Sequence, residues 1–148
     1  MAELILRKAG AGDMDEINGM QVEIFHGEQK IPLTGMILAE ESSPQWWVAV
    51  LDKETVGAVA AWKGGGQTHW GRFMVRPICR GMHTGTKLAQ HSLEELFAQG
   101  VEEIHMEARE STVKIISKMG GEILGNPVPF YAGTVTPLVL HREDYKPR

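Results

Sequence analysis

Glycines and basic residues are concentrated in one short stretch of the chain, residues 75–87, which reads V-R-P-I-C-R-G-M-H-T-G-T-K. Gly81 and Gly85 lack a Cβ atom, so the main chain around them can adopt unusual dihedral angles and approach a ligand closely. A strand before this stretch and a helix after it would direct several backbone N–H groups at one point, a geometry that binds phosphate. Arg80 and Lys87 add positive charge. The stretch therefore predicts a phosphate-binding turn.

Three phosphate-binding patterns compete for this turn, and their spacing separates them. The nucleotide triphosphatase pattern G-x-x-x-x-G-K-[ST] does not fit, because three residues separate the two glycines and a threonine precedes the lysine. The dinucleotide fingerprint G-x-G-x-x-G requires a parallel βαβ unit near the start of the chain, whereas this turn follows a predicted β-meander in mid-chain. The remaining pattern is R-G-x-G-x-[GA]. Residues 80–85 match it, except that His83 replaces the middle glycine.

Cysteine and histidine give no sign of a metal centre. Cys79 is the only cysteine, which excludes an internal disulfide and any site with several cysteine ligands. The six histidines show neither the H-E-x-x-H nor the H-x-H spacing. We therefore expect no metal.

Hydrophobic periodicity places strands and helices around the turn. The expected strands are 4–8, 46–51, 56–62, 68–75, 104–108, 122–131 and 134–141, and the expected helices are 13–26, 34–41, 83–99 and 112–119. Pro127 and Pro129 should distort the strand that contains them, and residues 144–148 should form a solvated tail. The element order is β-α-α-β-β-β-α-β-α-β-β, with three antiparallel strands in series before the turn.

Length and charge limit the class of protein. A chain of 148 residues fits a single domain, so we expect residues 1–148 to form one unit. Fifteen Lys and Arg against nineteen Asp and Glu give a formal charge of -4 without a basic block, which argues against nucleic acid or an anionic membrane as partner. No apolar run approaches the roughly 20 residues of a membrane span, and the first residues do not read as a signal peptide. We therefore expect a cytoplasmic protein.

Two further motifs join the turn in pointing to one family. Residues 6–9, L-R-K-A, resemble the family's first-strand motif I-R-x-A, and residues 118–121, K-M-G-G, resemble its helix end E-K-x-G-F. Together with V-R-P-x-x-R-G-x-x-x-G and the element order, these motifs cover nearly the whole chain. The chain thus resembles the GNAT superfamily of acyl-CoA-dependent N-acyltransferases.

The resemblance implies a fold and a cofactor site. The implied fold is α/β (α+β), with a mixed, mostly antiparallel sheet of about seven strands and about four helices. Its fourth and fifth strands splay apart, and acetyl-CoA, the acyl donor, lies in the gap. The main chain of Phe73, Met74 and Val75 would bind the pantetheine arm like an added strand. The diphosphate would be bound by the amides of Arg80, Gly81, Met82, His83, Thr84, Gly85 and Thr86.

Catalytic groups are harder to assign. Many relatives carry a tyrosine as general acid four residues before the glycine that ends the late helix, and here that position is Ile116, which cannot donate a proton. Either another side chain has replaced it, with Tyr131 as our candidate, or positioning alone suffices because a thiolate leaves without much help. A packed strand aromatic is the other interpretation of Tyr131.

Our candidate for the general base is Glu107. His105 and His69 are alternatives, and a water relay or a merely solvated polar face would explain the same residues. Glu107 and His105 should lie on the opposite face of their strand from its apolar residues. Glu23, His26 and Glu28 lie where the family commonly builds its acceptor site and would attract a cationic amine, although ordinary helix-surface polarity explains them equally well.

These features predict an N-acetyltransferase that transfers acetyl from acetyl-CoA to a primary amine of a small molecule or peptide by direct attack on the thioester. The alternative is a catalytically silent acyl-CoA sensor, which Ile116 motivates. Homodimers are frequent in the family, so a second copy of the chain is a further expected partner.

Overall fold

The structure is a computed structural model that describes residues 3–28, 44–80 and 83–147. The strands are β1 (Leu4–Lys8), β2 (Gln45–Leu51), β3 (Glu54–Gly64), β4 (Gln67–Val75), β5 (Glu103–Ala108), β6 (Glu122–Ile123), β7 (Val128–Phe130) and β8 (Gly133–His141). The helices are α1 (Met14–Gln21), which continues as a π-helical segment (Val22–Glu28), α2 (Thr84–Ala98) and α3 (Glu110–Lys118). The helix expected at 34–41 lies outside the described residues.

All strands but one belong to a single path across the sheet, in the order β1-β2-β3-β4-β5-β8-β6, and β7 pairs with β8 off this path. Neighbours are antiparallel except β4 and β5, which run parallel. The predicted mixed, mostly antiparallel fold is confirmed. The sheet has eight strands where about seven were expected, because 122–131 divides into β6 and β7. The segment between them contains Pro127, which has no N–H group for a strand ladder.

Two tight turns build the predicted meander of β2, β3 and β4. Asp52 and Lys53 both have positive φ angles (51° and 68°), as do Gly65 and Gly66 (60° and 77°). Positive φ at both central residues characterises the two-residue hairpin turn whose twist matches that of the adjoining strands. The meander ends at the glycine turn, where the strand β4 gives way to α2.

The strands β4 and β5 separate soon after they meet. Their parallel pairing involves Thr68 with Ile104 and His69 with His105, and β4 continues for six residues beyond His69. The edge of β4 that faces β5 is therefore open over Trp70–Val75 among the described residues. This divergence is the splay that the resemblance implied.

Helices cover both faces of the sheet. On one face, α2 buries Leu88, Leu93 and Leu96 in a cluster that also contains Trp47 and Ile104. On the other face, α1 and the π-helical segment bury Ile17, Met20, Ile24 and Phe25 against Val48, Ala58, Ala60 and Met74. The apolar stripes predicted for both helices are thus the buried ones.

The end of the chain is only partly the solvated tail that was predicted: Asp144, Lys146 and Pro147 are exposed, whereas Tyr145 packs onto the domain. The Tyr145 ring packs against Phe97 with centroids 5.3 Å apart, and the Lys146 amide donates to the Met119 carbonyl at 2.8 Å. The Tyr145 hydroxyl donates to Glu94 at 2.7 Å, and burial, together with this carboxylate, raises the pKa of Tyr145. The prediction missed these contacts because they depend on which helices lie beside the segment in the fold.

Candidate functional site

The glycine turn and the open edge of β4 border one cavity of about 450 Å³, which we call the turn cavity. Seven of the ten residues predicted to bind acyl-CoA line it, namely Phe73, Met74, Val75, Arg80, His83, Gly85 and Thr86. Thr84 is buried in the first turn of α2, and Gly81 and Met82 lie outside the described residues. The fold therefore brings together, around one cavity, residues that the sequence motif had grouped only by position.

His83 begins α2 in a left-handed backbone conformation, with φ 62° and ψ 9°. Such a conformation favours glycine, which explains physically why the pattern has a glycine at this position. The N–H groups of the first helical turn have no partner within the helix and carry the positive end of its dipole. The start of α2 is thus suited to an anion, and His83 does not remove its own amide from that role.

Gly85 allows α2 to begin close to β4. A Cβ atom on Gly85 would lie 3.1 Å from Cζ of Phe73 and 3.5 Å from Cγ2 of Val75. The first distance is tighter than ordinary van der Waals contact, so a side chain at position 85 would displace the Phe73 ring. The glycine thereby preserves the shape of the turn cavity.

Arg80 lies at the rim of the turn cavity in a fixed position. Its Nε donates to the Val75 carbonyl at 2.9 Å, and its terminal nitrogens donate to the two oxygens of Glu28 at 2.8 and 3.2 Å. Glu23 accepts a single hydrogen bond from Arg76 Nη1, at 2.8 Å. The two carboxylates expected to attract a cationic amine therefore face arginines.

The strand β4 contains a bulge on the side that pairs with β3. Ala58 pairs with Met74 and Ala60 with Gly71, so Arg72 and Phe73 together lie opposite one residue of β3. Arg72 has a positive φ of 56°. Because a bulge bends its strand, β4 is bent at the point where Phe73 lines both the turn cavity and the neighbouring cavity described below.

A second cavity of about 520 Å³, the sheet cavity, lies between β4 and β5 beyond the point of divergence. The three base candidates, His69, His105 and Glu107, all line it. Both cavities are lined by Phe73, Arg109 and Thr112, so they meet at these residues. We call this meeting point the junction.

Each histidine of the sheet cavity has one ring nitrogen fixed by a neighbour. His69 Nε2 lies 3.1 Å from the Gly64 carbonyl, which can only accept, so Nε2 carries the proton and Nδ1 has the free lone pair when the ring is neutral. His105 Nε2 donates to the carboxylate of Glu103. The two rings lie 6.3 Å apart, and Trp62 stacks on His69. Both histidines are therefore oriented in a way that suits proton acceptance.

The two residues predicted to be catalytic lie in different places. Glu107 is exposed on β5 and lines the sheet cavity. Tyr131 lies on the turn between β7 and β8, where 57% of it is exposed, and its ring meets Phe130 edge-on at 4.7 Å. Phe130 lines the sheet cavity, whereas Tyr131 is not among the described residues that line either cavity. Its positive φ of 51° is a conformation that a bulky side chain disfavours, and such strain is often found at functional positions.

Arg109 is a residue that sequence reasoning missed. Its Nη1 donates to the Phe130 carbonyl at 2.8 Å, and its guanidinium lies 5.0 Å from the centroid of the Phe130 ring. In the part of the chain that the structure describes, its Nη2 is shielded from solvent without a hydrogen-bond partner. Burial lowers the pKa of Arg109. The signal in the sequence was its spacing, since Arg109 continues the alternation of His105 and Glu107.

The sequence model of the acetyltransferase (GNAT) family matches residues 14–120, from the start of α1 to the glycine after α3. The chain belongs to the GNAT acetyltransferase family. Ile116 of this GNAT domain is fully buried and lines neither cavity. No curated protein sequence matches the chain.

Solved structures share the fold of this GNAT domain at low sequence identity. An N-acetyltransferase structure from Lactobacillus plantarum superposes with a TM-score of 0.78 at 13% identity, over 95% of this chain and 97% of its own. AAC(6')-Ib, in complex with ribostamycin and coenzyme A, gives 0.69 at 20% identity, over 96% and 95%. Spermidine N-acetyltransferase from Vibrio cholerae, in complex with CoA and spermine, gives 0.69 at 13% identity, over 96% and 97%.

Clustered metal ligands and membrane-spanning helices are both absent from the described residues of this GNAT domain. Across 3–28, 44–80 and 83–147, no group of three or more His, Cys, Asp or Glu side chains is placed to hold a metal ion. None of the described helices is long and apolar enough to cross a membrane.

Proposed function

We propose that this GNAT domain transfers an acyl group, most simply acetyl, from coenzyme A to a primary amine. The observation that carries the proposal is the junction: a cavity bordered by the phosphate-binding turn meets a cavity that contains three candidate bases. Direct transfer requires the thioester and the amine to meet at one point, and the junction is suited to that. The complexes of relatives with coenzyme A and an amine support the same assignment.

The donor would occupy the turn cavity. Its diphosphate would bind the amides of 80–86, with Arg80 at the rim exchanging Glu28 for phosphate, and its pantetheine arm would bind the open edge of β4. The thioester would then lie near the junction, where main-chain N–H groups of Met74 or Val75 would polarise its carbonyl.

The acceptor amine must lose a proton before it attacks, and Glu107 is the base that we propose. His105 is the rival, because Glu103 orients it and it lines the same cavity. A Glu107→Gln variant should lower kcat/KM by about 100-fold or more at neutral pH, the usual contribution of general base catalysis. If Glu107→Gln retains full activity and His105→Asn loses it, the base is His105.

Tyr131 is our proposed acid for the leaving thiolate, and it would have to turn toward the junction to act. Tyr131→Phe should lower kcat while leaving acetyl-CoA affinity unchanged, since only the proton donor is removed. An unchanged kcat would eliminate Tyr131 and favour departure of the thiolate without an acid.

Thiol release from acetyl-CoA across a panel of primary amines tests the enzyme directly. The competing candidate, a silent acyl-CoA sensor, is favoured by the buried Ile116 at the usual acid position. A sensor would bind acetyl-CoA without releasing thiol in the presence of any amine. Failure to bind acetyl-CoA at all would contradict both functions. A homodimer and cytoplasmic residence stay predictions, and light scattering measures the first.

A further inference from the structure

Three polar side chains form a row along β5 and just beyond it. His105, Glu107 and Arg109 alternate with buried Met106 and Ala108, and all three line the sheet cavity. Arg109 remains extended, with φ -66° and ψ 159°, so the alternation continues past the end of the strand. Residues two apart in an extended chain are separated by roughly 6.6 Å. The row therefore leads in even steps from the histidine to the junction.

Arg109 ends this row with an unsatisfied donor. The Arg109 guanidinium contacts Phe130 through the carbonyl oxygen and the face of the ring, and neither supplies a negative charge. Within the described residues its Nη2 has no hydrogen-bond partner. A charged donor that is shielded from water and unpaired is costly, and a planar guanidinium pairs with a carboxylate through two parallel hydrogen bonds.

The sheet cavity offers Arg109 little negative charge. Among the described residues, Glu107 is the one carboxylate that lines this cavity, and it forms no ion pair with Arg109. A purely cationic acceptor such as a polyamine would leave Arg109 unpaired. An acceptor that carries its own carboxylate would pair with it.

We propose that Arg109 binds the carboxylate of the acceptor, and that the acceptor is an amino acid acylated on its α-amino group. The inference rests on the proposed function. Because Arg109 lines both cavities, a carboxylate bound to it lies at the junction, where the thioester must also lie. The reactive amine is then a close neighbour of that carboxylate, as it is when both are attached to one carbon.

The row assigns each part of such an acceptor. The carboxylate pairs with Arg109, the amine lies toward Glu107, and the side chain extends along the sheet cavity toward His105. Glu107 accepts a proton from the ammonium group, the amine nitrogen attacks the thioester carbon, and the C–S bond breaks. The second proton that the nitrogen loses neutralises the departing thiolate, so that coenzyme A leaves as the free thiol. The product is an N-acyl amino acid.

The experiment compares α-amino acids with their α-amides, which keep the amine and side chain but lack the carboxylate. All twenty amino acids are tested as acceptors in wild type, Arg109→Gln and Arg109→Lys, with acetyl-CoA as donor. Arg142→Gln is the matched control, because Arg142 pairs with Glu102 and lines neither cavity. We expect wild type to prefer the best acid over its amide by at least about 100-fold in kcat/KM, because the amide leaves Arg109 unpaired. Arg109→Gln should abolish this preference, Arg109→Lys should retain part of it, and Arg142→Gln should keep it.

Other roles of Arg109 give different results. If Arg109 instead stabilises the oxyanion of the thioester, Arg109→Gln lowers kcat equally for acids and amides, and the proposal is overturned. A wild-type protein that accepts amides or polyamines as readily as amino acids also overturns it, whether or not the variants fold. That outcome leaves acyl transfer itself intact.

Binding separates this inference from failure of the proposed function. If no amine is acylated, calorimetric titration of N-acetyl amino acids into the coenzyme A-loaded protein still measures recognition of the carboxylate. Binding that Arg109→Gln weakens by tenfold or more, with the acetyl-CoA thermal shift preserved, supports the inference without catalysis. Absence of binding to wild type overturns it.

Discussion

His83 occupies the one glycine position of the pattern that this chain does not fill with glycine, and it does so with a left-handed backbone. Histidine tolerates this conformation better than most residues but less well than glycine. Histidine in place of glycine therefore adds backbone strain at position 83. It does not remove a hydrogen-bond donor, because the His83 amide is still present. Its effects should appear in stability before they appear in cofactor binding.

Substitutions at His83 test this interpretation. His83→Gly removes a left-handed penalty of about 1 kcal/mol but adds a similar unfolded-state entropy, so we expect stability to change by less than about 1 kcal/mol. His83→Val should destabilise by about 1 to 2 kcal/mol, because a β-branched residue fits this conformation poorly. Chemical denaturation measures both. His83→Asn is the control, and a valine variant as stable as the asparagine variant would contradict the strain.

The ion pair between Asp13 and Arg7 should make the free energy of unfolding depend on pH in the acidic range. Hydrogen bonds from Arg7 and from the Gly10 amide lower the pKa of Asp13 from 3.8 to about 2. A carboxyl whose folded pKa is depressed stabilises above its unfolded pKa, and this stabilisation is lost as pH falls from 3.8 toward 2. Because the Arg7 side chain is 46% exposed, the contribution at neutral pH should be about 1 kcal/mol or less.

Thermal unfolding between pH 2 and 7 checks this dependence. Asp13→Asn should be less stable than wild type at pH 7, and the two should converge as the solution becomes more acidic. Asp15→Asn is a matched control, since Asp15 forms no ion pair among the described residues. A constant difference between Asp13→Asn and wild type at every pH would contradict the assignment.

At this scale the predicted turn residues lie around one cavity, whereas the two predicted catalytic residues lie apart. The turn residues could be named because a contiguous motif fixes their neighbours. His69, His105 and Glu107 could be proposed because alternation puts them on the polar face of a strand. Arg109 was missed because its importance comes from bordering two cavities, and Tyr131 was placed on a strand although it lies on a turn. Both the position of Arg109 between two cavities and the position of Tyr131 on a turn depend on the folded arrangement of the strands.

Two helices of the structure end at glycines with nearly the same backbone conformation but different surroundings. Gly100 follows α2 with φ +97° and has nothing within 4 Å of a would-be Cβ atom. Gly120 follows α3 with φ +103°, and a Cβ atom there would lie 2.0 Å from the Asp144 carbonyl oxygen. The second glycine is required both by its conformation and by the segment that crosses it.

Alanine substitutions at Gly100 and Gly120 separate the cost of the backbone conformation from the cost of the close contact with Asp144. Gly100→Ala should cost about 1 to 2 kcal/mol, the penalty for a left-handed conformation alone. Gly120→Ala should cost clearly more, about 3 kcal/mol or above, because the final segment must also move away from α3. Urea unfolding of the two variants measures the difference. Equal losses would indicate that the end of the chain does not pack as described.

Most element boundaries could be predicted from the hydrophobic periodicity of the sequence. The strand β1 was predicted at its observed bounds, and α2 within one residue at each end. One strand was predicted over 122–131 because apolar residues lie on both sides of the interruption at 125–127. The splay between β4 and β5 came only from the resemblance, since it depends on which strands are neighbours.

For the molecule as a whole, a ligand that binds the folded state raises its unfolding temperature. At a concentration 100 times its Kd, acetyl-CoA should add about 2.7 kcal/mol, which corresponds to roughly 5 to 10 °C for a chain of this size. Differential scanning fluorimetry measures this shift. Gly85→Glu should remove it by displacing Phe73 into the turn cavity, while Gly65→Ala, far from that cavity, should keep it. A Gly85→Glu variant that still shifts fully would mean that the turn is only a structural connection.

Because β4 and β5 separate early, the sheet has a weakly paired boundary between them, which we call the seam. Two residue pairs join the half formed by β1 to β4 to the half formed by β5 to β8, whereas the β2–β3, β3–β4 and β5–β8 pairings each extend over six or seven residue pairs. Cooperative opening follows the weakest boundary, so amide hydrogen exchange should divide the sheet there into two units. A coenzyme that lies along β4 would span that boundary. Without coenzyme, the protein should open locally along the seam. With coenzyme bound along β4, the two halves of the sheet would be bridged.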